Sequence, residues 1–90
     1  MLWDIVYIEG LKDYVKIFVE GDDKPILTRI NLKGIHDQLP KNDFARVHKS
    51  YVVNLGKVSA VGTDEVLLKK IKIPLGEVYK AGIRKHFDSL

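Results

Sequence analysis

The chain has 90 residues, 46% of them apolar and 30% charged, with a net charge of +3 and no cysteine. That length suits one domain with a modest core and ordinary stability, about 5 kcal/mol, while disulfide staples and thiolate metal sites are excluded. No apolar run approaches the roughly 20 residues of a membrane-spanning helix, the opening residues lack the basic region of a secretory leader, and the absence of cysteine fits the expected location, the cytoplasm.

In chain order, Trp3–Glu9 alternates and is rich in β-formers on both faces, which predicts a central strand. Gly10-Leu11-Lys12-Asp13 supplies a turn, and Tyr14–Glu20 a second strand. Gly21–Pro25 forms a polar hairpin loop, from which Ile26–Ile30 returns as a third strand. At Asn31 the period changes: Leu32, Ile35 and Leu39 make a helical stripe, with Asn31 as N-cap, an Ile30–Ile35 staple across the start and Pro40 as the stop. Phe44–Val47 and Tyr51–Val53 are two short extended pieces around His48-Lys49-Ser50, followed by a turn at Asn54-Leu55-Gly56. Lys57–Val61 and Val66–Lys69 form a candidate hairpin, and Ile71–Pro74 a last strand. After Pro74 the period is helical again, through Leu75, Val78, Tyr79, Ile83 and Phe87, with Lys80, Arg84 and Lys85 opposite. Eight strands and two helices with hairpin-length links predict antiparallel sheets with a helix tucked against them.

Catalytic constellations are weak. His36, His48 and His86 lack the i, i+4 spacing of a zinc helix, so no metal site is expected. Ser50 follows His48 by two residues, but nothing places an orienting acid beside them. The seven glycines are scattered singly, so no phosphate-cradling loop exists, no cofactor is expected and the chain does not read as an enzyme.

Charge is more informative. Residues 41–72 hold seven basic and three acidic residues, a balance of +4, against eight and nine elsewhere, a balance of −1. Within this half, Arg46, His48, Lys49 and Ser50 form a polar island between apolar strands. Two readings stand: a nucleic-acid surface, where lysine neutralises phosphate or bonds guanine, or a surface turn closed by Ser50. The Lys12-Asp13-Tyr14 turn with Lys16 beyond reads by pattern as a solvated hairpin tip. In Gly76-Glu77-Val78-Tyr79-Lys80, backbone N–H groups at a helix start suit a phosphate, while Glu77 suits the helix dipole.

These stretches resemble the LytTR domain, the DNA-binding output domain of many bacterial response regulators. Asp4-Ile5-Val6-Tyr7-Ile8-Glu9 with Tyr14-Val15-Lys16-Ile17 is similar to the family's opening signature, and Leu32–Pro40 to its short helix ending in Leu-Pro. Phe44-Ala45-Arg46-Val47-His48-Lys49-Ser50-Tyr51-Val52-Val53-Asn54 resembles its most specific motif, and Ile73-Pro74-Leu75-Gly76 with Tyr79 its closing element. The resemblance implies a mainly β fold: an elongated antiparallel β-β-β sandwich with one short helix after the third strand and a C-terminal helix. It also implies that loops enter successive major grooves. Carried over by position, DNA contacts come from Lys12, Asp13, Tyr14 and Lys16, from Arg46, His48, Lys49 and Ser50, and from Glu77 and Lys80. Gly76-Glu77 departs from the family's Ser-Arg. A glutamate there accepts from cytosine N4 but cannot replace arginine at guanine or phosphate, which leaves the backbone contact to Lys80.

The expected function is sequence-specific binding of duplex DNA, as the output domain of a two-component transcriptional regulator. Residues 1–90 are expected to be a single domain, a fragment lacking the family's first strand and an N-terminal receiver domain. Expected partners are repeated DNA sites taken two copies per site, the upstream receiver and a sensor kinase, with no membrane. The rival from another class is a protein-interaction or dimerisation module that uses an exposed β edge. Asn54 reads as structural, its side chain bonding the backbone of a turn.

Overall fold

A computed structural model describes residues 2–88. The strands are β1 (Ile5–Gly10), β2 (Val15–Val19), β3 (Ile26–Thr28), β4 (Phe44–His48), β5 (Tyr51–Asn54), β6 (Ala60–Val61), β7 (Glu65–Leu68) and β8 (Ile71–Pro74). The helices are α1 (Leu32–Gln38) and α2 (Lys80–Asp88). Two antiparallel sheets form, one in the order β3-β2-β1-β5-β4 and one in the order β6-β7-β8. The mainly β reading, with antiparallel sheets, a short helix after the third strand and a C-terminal helix, therefore holds. The body measures 33 × 25 × 22 Å. Among the described residues no helix is long and apolar enough to cross a membrane.

β1 lies at the centre of the larger sheet, as its two apolar faces require. On one face Ile8, Val15, Phe44 and Val52 pack under α1 through Leu32 and Leu39. On the other, Val47 and Val53 meet Val66, Leu68 and Ile73 of the smaller sheet and Ile83 of α2. The chain thus has two cores divided by one sheet; β4 and β5 supply them by alternation, while in β1 the register shift between Ile5 and Tyr7 puts Ile5 and Ile8 on one core and Val6 and Tyr7 on the other.

The start of α1 is built as its sequence requires. Asn31 Oδ1 accepts the Gly34 N–H at 2.7 Å, and Ile30 and Ile35 both pack against the core beneath the helix. Gly10 is where β1 passes closest to α1: a Cβ there would sit 3.0 Å from Leu32 Cβ. Leu32 is buried and its Cβ moves only with the helix backbone. Gly10→Ala is expected to destabilise the fold by about 1–3 kcal/mol, read as a lower urea midpoint at unchanged slope.

At the other end of α1, His36 Nε2 lies 3.2 Å from the Phe44 carbonyl oxygen, where it donates. Burial holds the His36 pKa below its ordinary value, outweighing the opposing effect of this bond. The unfolded chain therefore takes up a proton first as pH falls. Stability is expected to decline as pH drops through the ordinary histidine value near 6.5, and His36→Gln should flatten that limb of the stability–pH curve.

Several predicted boundaries shift. The strand expected over Lys57–Val61 begins only at Ala60, because Leu55–Lys57 form a 3₁₀ turn that takes the Val58 N–H, and the strand expected over Ile26–Ile30 ends at Thr28, whose carbonyl takes the Ile30 N–H. Trp3 was expected in the first strand, but Leu2–Asp4 form a 3₁₀ turn and Trp3 is exposed. The Asn54 side chain draws in this turn through the carbonyls of Trp3 and Ile5, which takes the backbone out of strand geometry until Ile5. Val78 was expected in the apolar stripe of the last helix but is 84% exposed. The Leu75 and Gly76 N–H groups are taken by the carbonyls of Asp64 and Val47, so the chain stays extended there. A 3₁₀ turn over Glu77–Tyr79 follows, and regular helix begins at Lys80.

Candidate nucleic-acid interface

The β1–β2 turn and the β4–β5 turn stand side by side at one end of the larger sheet. The Gly10 N–H donates to the Ser50 carbonyl at 2.8 Å, and Leu11 N to the Tyr14 carbonyl at 2.8 Å closes the first turn. The third segment is stitched to the same end by the 2.7 Å bond from Gly76 N to the Val47 carbonyl. The three stretches singled out in the sequence, 12–16, 46–50 and 76–80, thus form one row.

The middle turn is rigid for local reasons. The ladder between β4 and β5 shifts register between Arg46 and His48, with Val47 as the extra residue. This bulge keeps Val47 in the core while placing His48 opposite Tyr51, with ring centroids 5.6 Å apart. The Ser50 N–H donates to His48 Nδ1 at 3.1 Å. A neutral His48 ring therefore carries its proton on Nε2, which has no partner among the described residues and is a donor to what lies outside. The Arg46 guanidinium donates to the carbonyls of both His48 and Lys49, clasping the turn from beneath. Arg46 was expected as a DNA contact; its fork is occupied by backbone, and its charge remains.

The Lys49 side chain is exposed, and its ammonium has no partner among the described residues. The same is true of Lys12. Tyr14 lies with the Arg29 guanidinium carbon 6.0 Å from its ring centroid. Lys16 is half-buried and pairs in register with Glu9 of β1, whose carboxylate accepts from the Tyr51 hydroxyl at 3.2 Å. Asp13 is exposed at the tip of the first turn.

Between the first two turns and α1 lies a hollow of about 480 Å³, lined by Gly10, Lys12, Lys33, Arg46, Lys49 and Ser50 among others. Four cations converge there. Lys33 is the addition to the residues expected. Its ammonium bonds Asp37 at 2.9 Å, an exposed pair that yields readily to a stronger anion. The sequence marks Lys33 only as the second residue of α1; that α1 begins beside the β4–β5 turn is tertiary information.

The third segment differs in character. Lys80 Nζ donates to Asp64 Oδ1 at 3.0 Å and to Glu77 Oε1 at 3.3 Å, and its side chain is only 14% exposed. Asp64, chiefly, holds the Lys80 ammonium above its ordinary pKa. Lys80 was expected at the DNA backbone, yet it is a tethered cation between two carboxylates, and the exposed groups here are acidic. Asp64, in the β6–β7 loop, was not foreseen; the Leu75–Asp64 backbone bond brings it in. Among the described residues no cluster of His, Cys, Asp or Glu is placed to hold a metal ion.

Two cationic turns thus stand side by side at one end of a β scaffold, with the acidic third segment next to them, and among the described residues no helix projects from these turns. Residues 2–88 match the family model of the LytTr DNA-binding domain, and the chain belongs to that family. The fold is also that of a solved LytTr DNA-binding domain of a methyl-accepting/DNA response regulator from Bacillus cereus, with a TM-score of 0.83 at 21% identity over 94% of this chain and 82% of that one.

Proposed function

We propose that this domain binds duplex DNA sequence-specifically, with its row of turns laid along successive major grooves. The observation that carries the reading is the β4–β5 turn: a rigid clasp that leaves His48 Nε2 and the Lys49 ammonium facing outward, beside the four-cation hollow. His48 and Lys49 suit base-edge acceptors such as guanine N7 and O6. Lys12, Lys33, Lys49 and the charge of Arg46 suit phosphate, and Tyr14, Lys16, Asp13 and Ser50 flank the same surface. Membership of a DNA-binding rather than catalytic family supports a role as a transcriptional output domain. In that role residues 1–90 form a single unit, two copies occupy repeated sites, and an upstream receiver and sensor kinase supply the signal in the cytoplasm.

Salt titration on duplex DNA tests this. Each phosphate neutralised adds about 0.9 to the slope of log affinity against log salt. Lys33→Ala is expected to reduce that slope by about 0.9 and to weaken binding alike on every sequence. An unchanged slope would remove Lys33 from the interface.

A second reading rests on the β3 edge. Ile26 and Leu27 there are exposed, as are Leu2 and Trp3, and an open apolar edge suits a partner strand in a dimerisation or interaction module. Absence of salt-dependent DNA binding, together with self-association abolished by Leu27→Lys, would favour it.

A further inference from the structure

The acidic third segment sits against the surface where a polyanion is proposed to lie. A Cβ on Gly76 would lie 3.6 Å from His48 Cα, so Glu77 follows directly on a residue in contact with the middle turn. The Glu77 side chain is 88% exposed and that of Asp64 84%, while the lysine between them is 14% exposed. Two accessible carboxylates against one half-sheltered ammonium leave this corner net negative. Such a charge opposes phosphate at any sequence. A carboxylate is acceptor-only, so within a groove it gains only where the base edge offers an amine.

We propose that Glu77 is a specificity-determining residue: its carboxylate accepts from the exocyclic amine of cytosine at a base step beside the one His48 meets, and it penalises duplex lacking that amine. Lys80 is a positioning residue that holds one Glu77 oxygen and is itself anchored by Asp64, leaving the second oxygen for the base. Adenine also presents an amine in the major groove, but beside the N7 acceptor, which repels a carboxylate; cytosine presents the amine without that neighbour. The inference rests on the proposed DNA-binding reading.

The test is selection of bound duplexes from a random pool with the 90-residue chain and with Glu77→Gln, followed by binding titrations on the selected and on random duplex at two salt concentrations. Wild type is expected to select cytosine at one position, and Glu77→Gln to lose about 5- to 10-fold of that preference, the scale of one base-edge contact. The same variant should bind random duplex about threefold more tightly at low salt, a gain that fades as salt rises. Lys80→Met keeps the sheltered stem and frees both carboxylates. It is expected to weaken random-duplex binding and the cytosine preference together, at an unchanged unfolding midpoint. A Glu77→Gln protein that selects the same consensus overturns the inference, even if its random-duplex affinity rises, because the charge would then act without reading a base. If wild type shows no salt-dependent duplex binding at all, the DNA-binding reading itself fails, and this inference with it.

Discussion

Asn54→Ala is expected to lower the unfolding free energy by roughly 2–4 kcal/mol, a large part of what a domain of this size has. Asn54 is 2% exposed. Its Nδ2 donates to the Ile5 carbonyl at 2.8 Å and to the Trp3 carbonyl at 3.4 Å, and its Oδ1 accepts the Gly56 N–H at 3.0 Å. One side chain therefore closes the turn after β5 and ties the start of β1 to it. Alanine leaves the Ile5 carbonyl, on a half-buried residue, unpaired at a cost of about 1–3 kcal/mol, and removes the bond to the exposed Gly56 N–H, where water replaces part of the loss of about 0.5–1.5 kcal/mol. Urea unfolding should show a lower midpoint at a similar slope. A change below about 0.5 kcal/mol, the range of ordinary surface substitutions, would mean that the Asn54 bonds contribute nothing net.

Lys49→Ala is expected to cost about 1–3 kcal/mol of binding on the selected site and less on random duplex. The substitution isolates function from folding. Lys49 is exposed, its ammonium is unpartnered among the described residues, and its backbone carbonyl, which Arg46 clasps, survives the change. The unfolding midpoint should therefore stay within about 0.5 kcal/mol of wild type. Equal losses on both duplexes would confine Lys49 to phosphate and leave base reading in this turn to His48. His48→Ala is a blunter instrument, because it removes the Nε2 donor and also the Nδ1 acceptor that holds the Ser50 N–H.

Most of the fold was legible in the sequence because periodicity and turn chemistry are local. The change of period at Asn31, the asparagine cap and the Pro40 stop define α1 without tertiary help. The apolar residues on both faces of Ile5–Glu9 place β1 in the middle of a sheet. Local signals failed where a distant group decides. Trp3 continues the alternation of the first strand, yet the Asn54 side chain, far along the chain, bends its backbone away. Val78 continues a helical stripe, yet backbone bonds from Leu75 and Gly76 to Asp64 and Val47 delay the helix until Lys80.

The candidate site divides in the same way. Of its three stretches only 46–50 stands out by pattern as a polar island between apolar strands, while 12–16 reads as a solvated hairpin tip and 76–80 as a helix start; motif resemblance joined them. The Val47 bulge that turns His48 to the Tyr51 side has no marker in composition, since Val47 looks like any alternating strand residue. Lys33 and Asp64 enter only because α1 and the β6–β7 loop come to rest beside the turns. Lys80 illustrates the limit most clearly. A lysine near a polyanion surface suggests phosphate, and only coordinates reveal two carboxylates already holding it.

Backbone amide mapping by NMR during titration with a selected duplex tests the central claim most directly. Shifts are expected to concentrate at residues 10–14, 48–50 and 76–80 and around Lys33, leaving Ile26–Thr28 unmoved. Shifts confined to Ile26–Thr28 and the Leu2–Asp4 turn, with the three turns silent, would contradict it.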